Sequence, residues 1–185
     1  LDQGVSSLDM VSYGALAMAP GAAFQLDGNL VHQGYFLLDS AGTRTITGSG
    51  SLFNAGAFEF TPGADLQLNG GLVLRTQNAG SVFLGTGSLA LNDSTLFDLA
   101  VAPAVFSPNI GLTINGGALD NAQNLPMPDL LVWNAGVING DLTVQTGQQL
   151  DLNGAGNMTY AAGTLTNNGS IRFQSAGGDL QLDGL

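Results

Sequence analysis

The amino-acid sequence predicts an all-β chain: a right-handed parallel β-helix, or β-solenoid, with coils of about 22–25 residues and irregular loops within 99–133. Three observations predict it. A Leu-x-Leu-Asx-Gly unit recurs along the chain, a second unit of the form Asx-x-Gly leads into alternating apolar residues, and the copies return at a near-constant spacing.

The first unit is clearest at Leu66-Gln67-Leu68-Asn69-Gly70, with relatives at Phe24 to Gly28, Leu112 to Gly116, Leu150 to Gly154 and Leu180 to Gly184. Leu89-Ala90-Leu91-Asn92-Asp93 is a variant without the Gly. Apolar side chains flanking a mostly polar one give the period-two pattern of a strand with one buried face, and the Asx-Gly pair ends it in a corner. The second unit reads Asn54-Ala55-Gly56-Ala57-Phe58-Glu59-Phe60, and recurs at Asn78-Ala79-Gly80 and Asn167-Asn168-Gly169. Asn134-Ala135-Gly136 and His32-Gln33-Gly34 are further copies. His32 to Asn54 is 22 residues, Asn54 to Asn78 is 24, and Leu68 to Leu91 and Leu91 to Ile114 are each 23.

A constant period means stacked copies. Three strands and three corners fill such a coil, the third strand being represented by Leu72-Val73-Leu74 and by Asn157 to Tyr160. Stacking at about 4.8 Å sets like residues above one another. The corner Asx residues are therefore expected to form a ladder of their own, with Gly accepting the backbone angles of the turn. An antiparallel meander is the structural competitor, because Asn-Gly between apolar residues also signals a hairpin, as at Leu66 to Leu74. A meander requires neither a fixed period nor two alternating corner types.

Regularity fails between Leu99 and Trp133, where Pro103, Pro108, Pro126 and Pro128 cannot donate to a central ladder. Loops protruding from the rod are expected around Ala100 to Pro108 and Asn121 to Asp129.

Composition bounds the function. With 14 acidic residues against 3 basic ones and a net charge of -11, the chain lacks the basic surface that phosphate backbones and anionic membranes require. Nucleic acid is excluded as a partner. Only 9% of residues are charged while 44% are hydrophobic, which separates the chain from a disordered acidic tail. Apolar runs are short and broken by Gly, so no membrane-spanning helix is expected in this segment. With no Cys, stability rests on packing and hydrogen bonds. Residues 1–185 read as one solenoid domain, either a processed chain or a segment of a longer repeat protein.

The chain resembles the passenger regions of bacterial autotransporters and the filamentous-haemagglutinin-like exoproteins of two-partner secretion. The resemblance rests on Asn78 to Val82 leading into Gly87 to Asn92, on Gly163 to Ile171, and on the scarcity of Cys and Lys. It covers most of the chain outside 99–133 and matches scaffold positions only. It implies a right-handed β-helix, secreted or at the cell surface of a bacterium of Gram-negative type, serving in adhesion, aggregation or delivery of toxic domains. No functional residue is carried over.

Polysaccharide-cleaving enzymes also use this architecture, and they need paired carboxylates or cationic and metal help. The cations are only Arg44, Arg75 and Arg172. Asp27, Asp151 and Asp183 fall in repeat positions where a structural role suffices, and Glu59 is the outward member of an alternating strand. His32 stands where other copies hold Asn, so a corner residue is expected rather than a base or metal ligand. Trp133 is expected to pack beneath the irregular segment, the alternative being an exposed indole that stacks on a sugar ring. Gly177-Gly178-Asp179-Leu180 is a fragment of a calcium-binding nonapeptide without its tandem neighbours, and Thr43 to Thr47 is a single Thr-x-Thr coil, not an ice-binding array. No catalytic, cofactor-binding or metal residues are assigned.

The expected function is a non-catalytic structural or adhesive rod, with a host or neighbouring-cell surface glycan or protein as partner. Uncapped ends would add end-to-end self-association into a filament. The alternative is a carbohydrate-active β-helix, of polysaccharide lyase or glycoside hydrolase type, with a site near loops 100–129.

Overall fold

The computed structural model describes residues 10–76, 81–99, 103–122, 125–154, 156–174 and 177–183. These residues form 20 strands and no α-helix. Every strand pairing among them is parallel, which excludes the meander. The chain winds as a β-solenoid of about 7 turns.

Three faces make up the wall. The first is built from Met10–Ser12, Asn29–His32, Ser51–Asn54, Val73–Thr76 and Leu96–Asp98, followed by 118–120, 136–139, Met158–Ala162 and Leu180–Leu182. The second contains Ala15–Ala17, Tyr35–Leu38, 57–60, 82–85 and Val105–Phe106. The third runs from Ala23–Gln25 and Gly42–Gly48 through 64–70, 87–92, 111–115 and 130–133 to Gln149–Leu152 and Ser170–Phe173. Strands such as Ala57–Gly70 and Gly111–Asp120 are long because they turn a corner while still paired.

Side chains alternate inward and outward along each strand. The inward members stack into ladders: Leu30, Leu52, Leu74, Phe97, Leu119, Ile138 and Tyr160 on the first face. Ile46, Leu68, Leu91, Ile114, Trp133 and Leu152 stack on the third. All of these are buried, each worth roughly 1.5–3 kcal/mol of transfer free energy. On the second face, Phe36, Phe58, Phe83 and Phe106 form an aromatic stack with successive ring centroids 4.9, 5.2 and 4.5 Å apart.

The expected corner ladder is present. Asn92 donates its amide to Asn69, Asn115 to Asn92 and Asn134 to Asn115, binding four coils along the edge of the third face. The step is 23 residues for the first two rungs and 19 for the last. That shortening marks the irregular segment.

There the loops differ from the sequence expectation. Residues 100–102 and 123–124 lie outside the described residues, and the described part of each loop does not simply protrude. Val105–Phe106 is a strand that extends the aromatic stack, Ala104 and Ile110 are buried, and Gly111–Asp120 is a continuous strand with register shifts at its Asn115 corner. Among the described residues between Asp120 and Leu130 no second-face strand forms, and Ala122, Leu125 and Met127 are buried in the core there. Hydrophobic side chains at Ile110, Leu125 and Met127 leave too much apolar surface to expose, so the segment folds onto the tube. The second face resumes at Leu142–Val144, which pairs only with Leu165–Asn167 as a separate two-stranded sheet.

Like-looking motifs do not all occupy like places. Asn54-Ala55-Gly56 turns the chain from the first face to the second, whereas Asn134-Ala135-Gly136 turns it from the third to the first. Leu180-Gln181-Leu182 pairs with Met158–Tyr160 on the first face, not with the similar Leu150-Asp151-Leu152 on the third.

Candidate functional site

The alternative enzyme reading placed a site near 100–129, which holds the carboxylates of Asp120 and Asp129 with Asp98 just before it. Asp98 and Asp120 are the two in register, on adjacent strands of the first face, beside the start of each irregular stretch. Asp98 accepts from Arg75 Nε at 3.1 Å and from Asn121 Nδ2 at 3.3 Å. Asp120 accepts from Asn139 Nδ2 at 2.6 Å and from the Asn121 backbone N–H at 3.0 Å. Asn121 makes both contacts from a left-handed backbone, φ 59°, which Asn tolerates better than most residues. The guanidinium of Arg75 also lies 5.7 Å from the Phe53 ring centroid. Each carboxylate thus serves as acceptor in a row that ties coil to coil.

The other residues singled out from the sequence are dispersed. His32 is fully buried at the corner between the first two faces, in register with Asn54 and against the rings of Phe36 and Phe58. Neither ring nitrogen has a hydrogen-bond partner. Burial pushes its pKa below the ordinary value, and the Gly34 backbone opposes part of that push without reaching hydrogen-bond geometry. Trp133 is 1% exposed and packs in the third-face ladder, so its indole is not offered to a sugar ring. Arg44 takes an inward position in line with Leu66, where Met18 O, Gly42 O and Ser40 Oγ accept from its guanidinium.

Asp27 is held below the usual carboxylate range by the Ser49 backbone N–H and then by the Gln25 amide. Asp151 accepts from Gln149 Nε2, and Asp183 accepts from Gln181 Nε2. Among the described residues no group of three or more His, Cys, Asp or Glu is placed to hold a metal ion. No helix among them is long and apolar enough to cross a membrane.

The outer surface divides by face, and this was missed in the sequence. On the third face the outward rows are Gln25, Thr47, Asn69 and Asn92, and Thr45, Gln67, Ala90 and Thr113. On the second face, one row is Ala15, Tyr35, Ala57, Val82 and Val105, and the other is Ala17, Leu37, Glu59 and Leu84. Tyr35 is 56%, Val105 47% and Leu84 37% exposed. The signal was available: Tyr35-Phe36-Leu37-Leu38 and Val82-Phe83-Leu84 are uninterrupted apolar runs, which place apolar groups on both sides of a strand. Further along, Thr143, Gln145, Thr146 and Asn168 line a shallow polar depression.

With this geometry in view, comparison with protein-family models, with curated proteins and with solved structures finds no match to the chain.

Proposed function

We propose that this chain is a non-catalytic structural and adhesive β-solenoid, a stretch of an adhesin, exoprotein or surface filament that works outside a bacterial cell. The observation that supports it most is the continuity of the scaffold. Inward side chains fill one core through every described turn, including the segment near which the alternative reading places a site. Several of its outward polar side chains make rung-to-rung bonds, as in the Asn69 to Asn134 ladder and the Ser88–Asp65 contact of 2.6 Å. Such a surface is fixed and repetitive, which suits a rod that displays the same chemistry over its length. The likeness to autotransporter passengers and haemagglutinin-like exoproteins rests on the same scaffold positions and agrees with this reading.

One observation favours the carbohydrate-active alternative: Asp98 and Asp120 are neighbours at the edge of the irregular segment. Paired carboxylates at about 5 Å are the spacing of a retaining glycosidase. Their engagement by Arg75, Asn121 and Asn139 argues for structure instead.

A glycan-array screen run beside a polysaccharide-cleavage assay separates the two. Saturable binding without cleavage is the expected result. Cleavage that disappears in both Asp98→Asn and Asp120→Asn would replace the adhesive reading with the enzymatic one.

A further inference from the structure

The second face has an apolar outer surface broken by one charge. Tyr35, Ala57, Val82 and Val105 on one row, and Leu37 and Leu84 on the other, surround Glu59, which is exposed and the sole Glu of the chain. Leu37 and Leu84 are its direct neighbours on the strands to either side, at about 4.8 Å spacing. Among the described residues the Glu59 carboxylate has no ion-pair or hydrogen-bond partner, although Asp98, Asp120, Asp65 and Asp27 all have one. Behind it the Phe36–Phe58–Phe83–Phe106 stack makes the wall rigid, so a ligand meets a preformed surface.

Size and charge restrict what fits. Two rows on five strands cover roughly 250 Å² at the usual strand spacing, against about 800 Å² per partner in a stable protein dimer. A second copy of the chain would also set Glu59 against Glu59 in an apolar contact and bring together two bodies of net charge -11. A short segment is the better match in area, and a cation is the match in charge.

The geometry points to the second face as a docking surface for a short basic segment of a partner protein, with aliphatic side chains lying along the two rows and an ammonium or guanidinium meeting Glu59. It rests on the adhesive reading and deepens it by naming the face and the chemistry of the partner. The ion pair forms inside an apolar surround, where partial desolvation makes it stronger than a surface pair. The aliphatic contacts supply most of the area and Glu59 sets the register.

The probe is a fluorescein-labelled peptide of alternating Leu and Lys, titrated by anisotropy at physiological salt. The wild-type chain binds it saturably. Glu59→Gln weakens binding by about tenfold, the expected scale for loss of one partly buried charge pair. Leu84→Ser weakens it by about threefold or more through lost apolar contact. Asp129→Asn removes the same unit of charge from an exposed residue elsewhere and changes binding by less than about twofold.

Equal weakening by Glu59→Gln and Asp129→Asn would mean attraction to bulk negative charge and would overturn the assignment. So would a concentration-dependent dimer that Glu59→Gln strengthens, since that outcome names a second copy as the occupant. Glycan binding retained by both variants would leave the adhesive rod intact on another face, so the two readings fail separately.

Discussion

Gly56 sits where successive coils come closest. A Cβ built there would lie 2.1 Å from the Gly34 carbonyl oxygen, and one at Gly34 would lie 1.9 Å from that of Gly14. Glycine is required at this corner by the backbone of the neighbouring coil, not by turn angles. Gly56→Ala must push two coils apart, and overpacking of this kind costs about 1–3 kcal/mol or more. Gly71, which meets nothing within 4 Å, is the control: Gly71→Ala leaves the urea midpoint within experimental scatter of wild type. One rung away, His32 is buried between two Phe rings without a hydrogen-bond partner. Its folded pKa is depressed below the unfolded value of about 6.5, so the native state holds the ring neutral. The stability this contributes is fully present above that value and is lost as pH falls through it toward the folded pKa. Thermal melts between about pH 7 and about pH 5 should therefore show a declining midpoint that His32→Asn flattens, because Asn at the equivalent corner position, Asn54, bonds Gly56 without titrating. An unchanged acid slope in the variant would assign the decline to carboxylates.

At the scale of the element, the stack and the ladder hold the coils together in different ways. Phe83 lies between Phe58 and Phe106, with interplanar angles of 1° and 6°. Phe83→Ala removes both contacts and leaves a cavity in a wall that cannot collapse, at a cost of about 3–5 kcal/mol in urea denaturation. Asn92→Ala breaks two amide bonds at a partly exposed edge and should cost only about 1–2 kcal/mol. If the two substitutions proved equally damaging, the amide ladder would hold more of the stability than its exposure implies. Strands and corners of this kind were legible from the sequence, since Leu66-Gln67-Leu68-Asn69-Gly70 contains both the period-two pattern and the turn. The face on which each strand lies was not. An Asx-x-Gly corner is chemically the same at Asn54 and Asn134, and only the neighbouring coil decides which wall it joins. The apolar outer surface around Glu59 was readable in the unbroken runs at Tyr35 and Val82. The pairing of Asp98 with Asp120 was not, because it depends on a strand register spanning 22 positions of sequence.

For the whole molecule, stability is close to a sum over coils and their nearest-neighbour contacts. Inward residues of the outermost described strands are consequently poorly covered: Phe24 is 38% and Phe173 70% exposed. We expect the isolated chain to self-associate end to end, with a sedimentation coefficient that rises with concentration and with Phe173→Asp suppressing the rise. A single invariant species for both proteins would contradict it.

Among the described residues between Asp120 and Leu130 the second face has no strand, which bears on how the rod responds to force. The first and third faces run past that turn, while on the second the buried side chains of Leu125 and Met127 stand where a strand would lie. Tension along the axis would therefore be carried at that turn mainly by the first and third faces. Under an axial pull a solenoid built this way is expected to yield first at that height, lengthening at one turn while the coils on either side keep their shape.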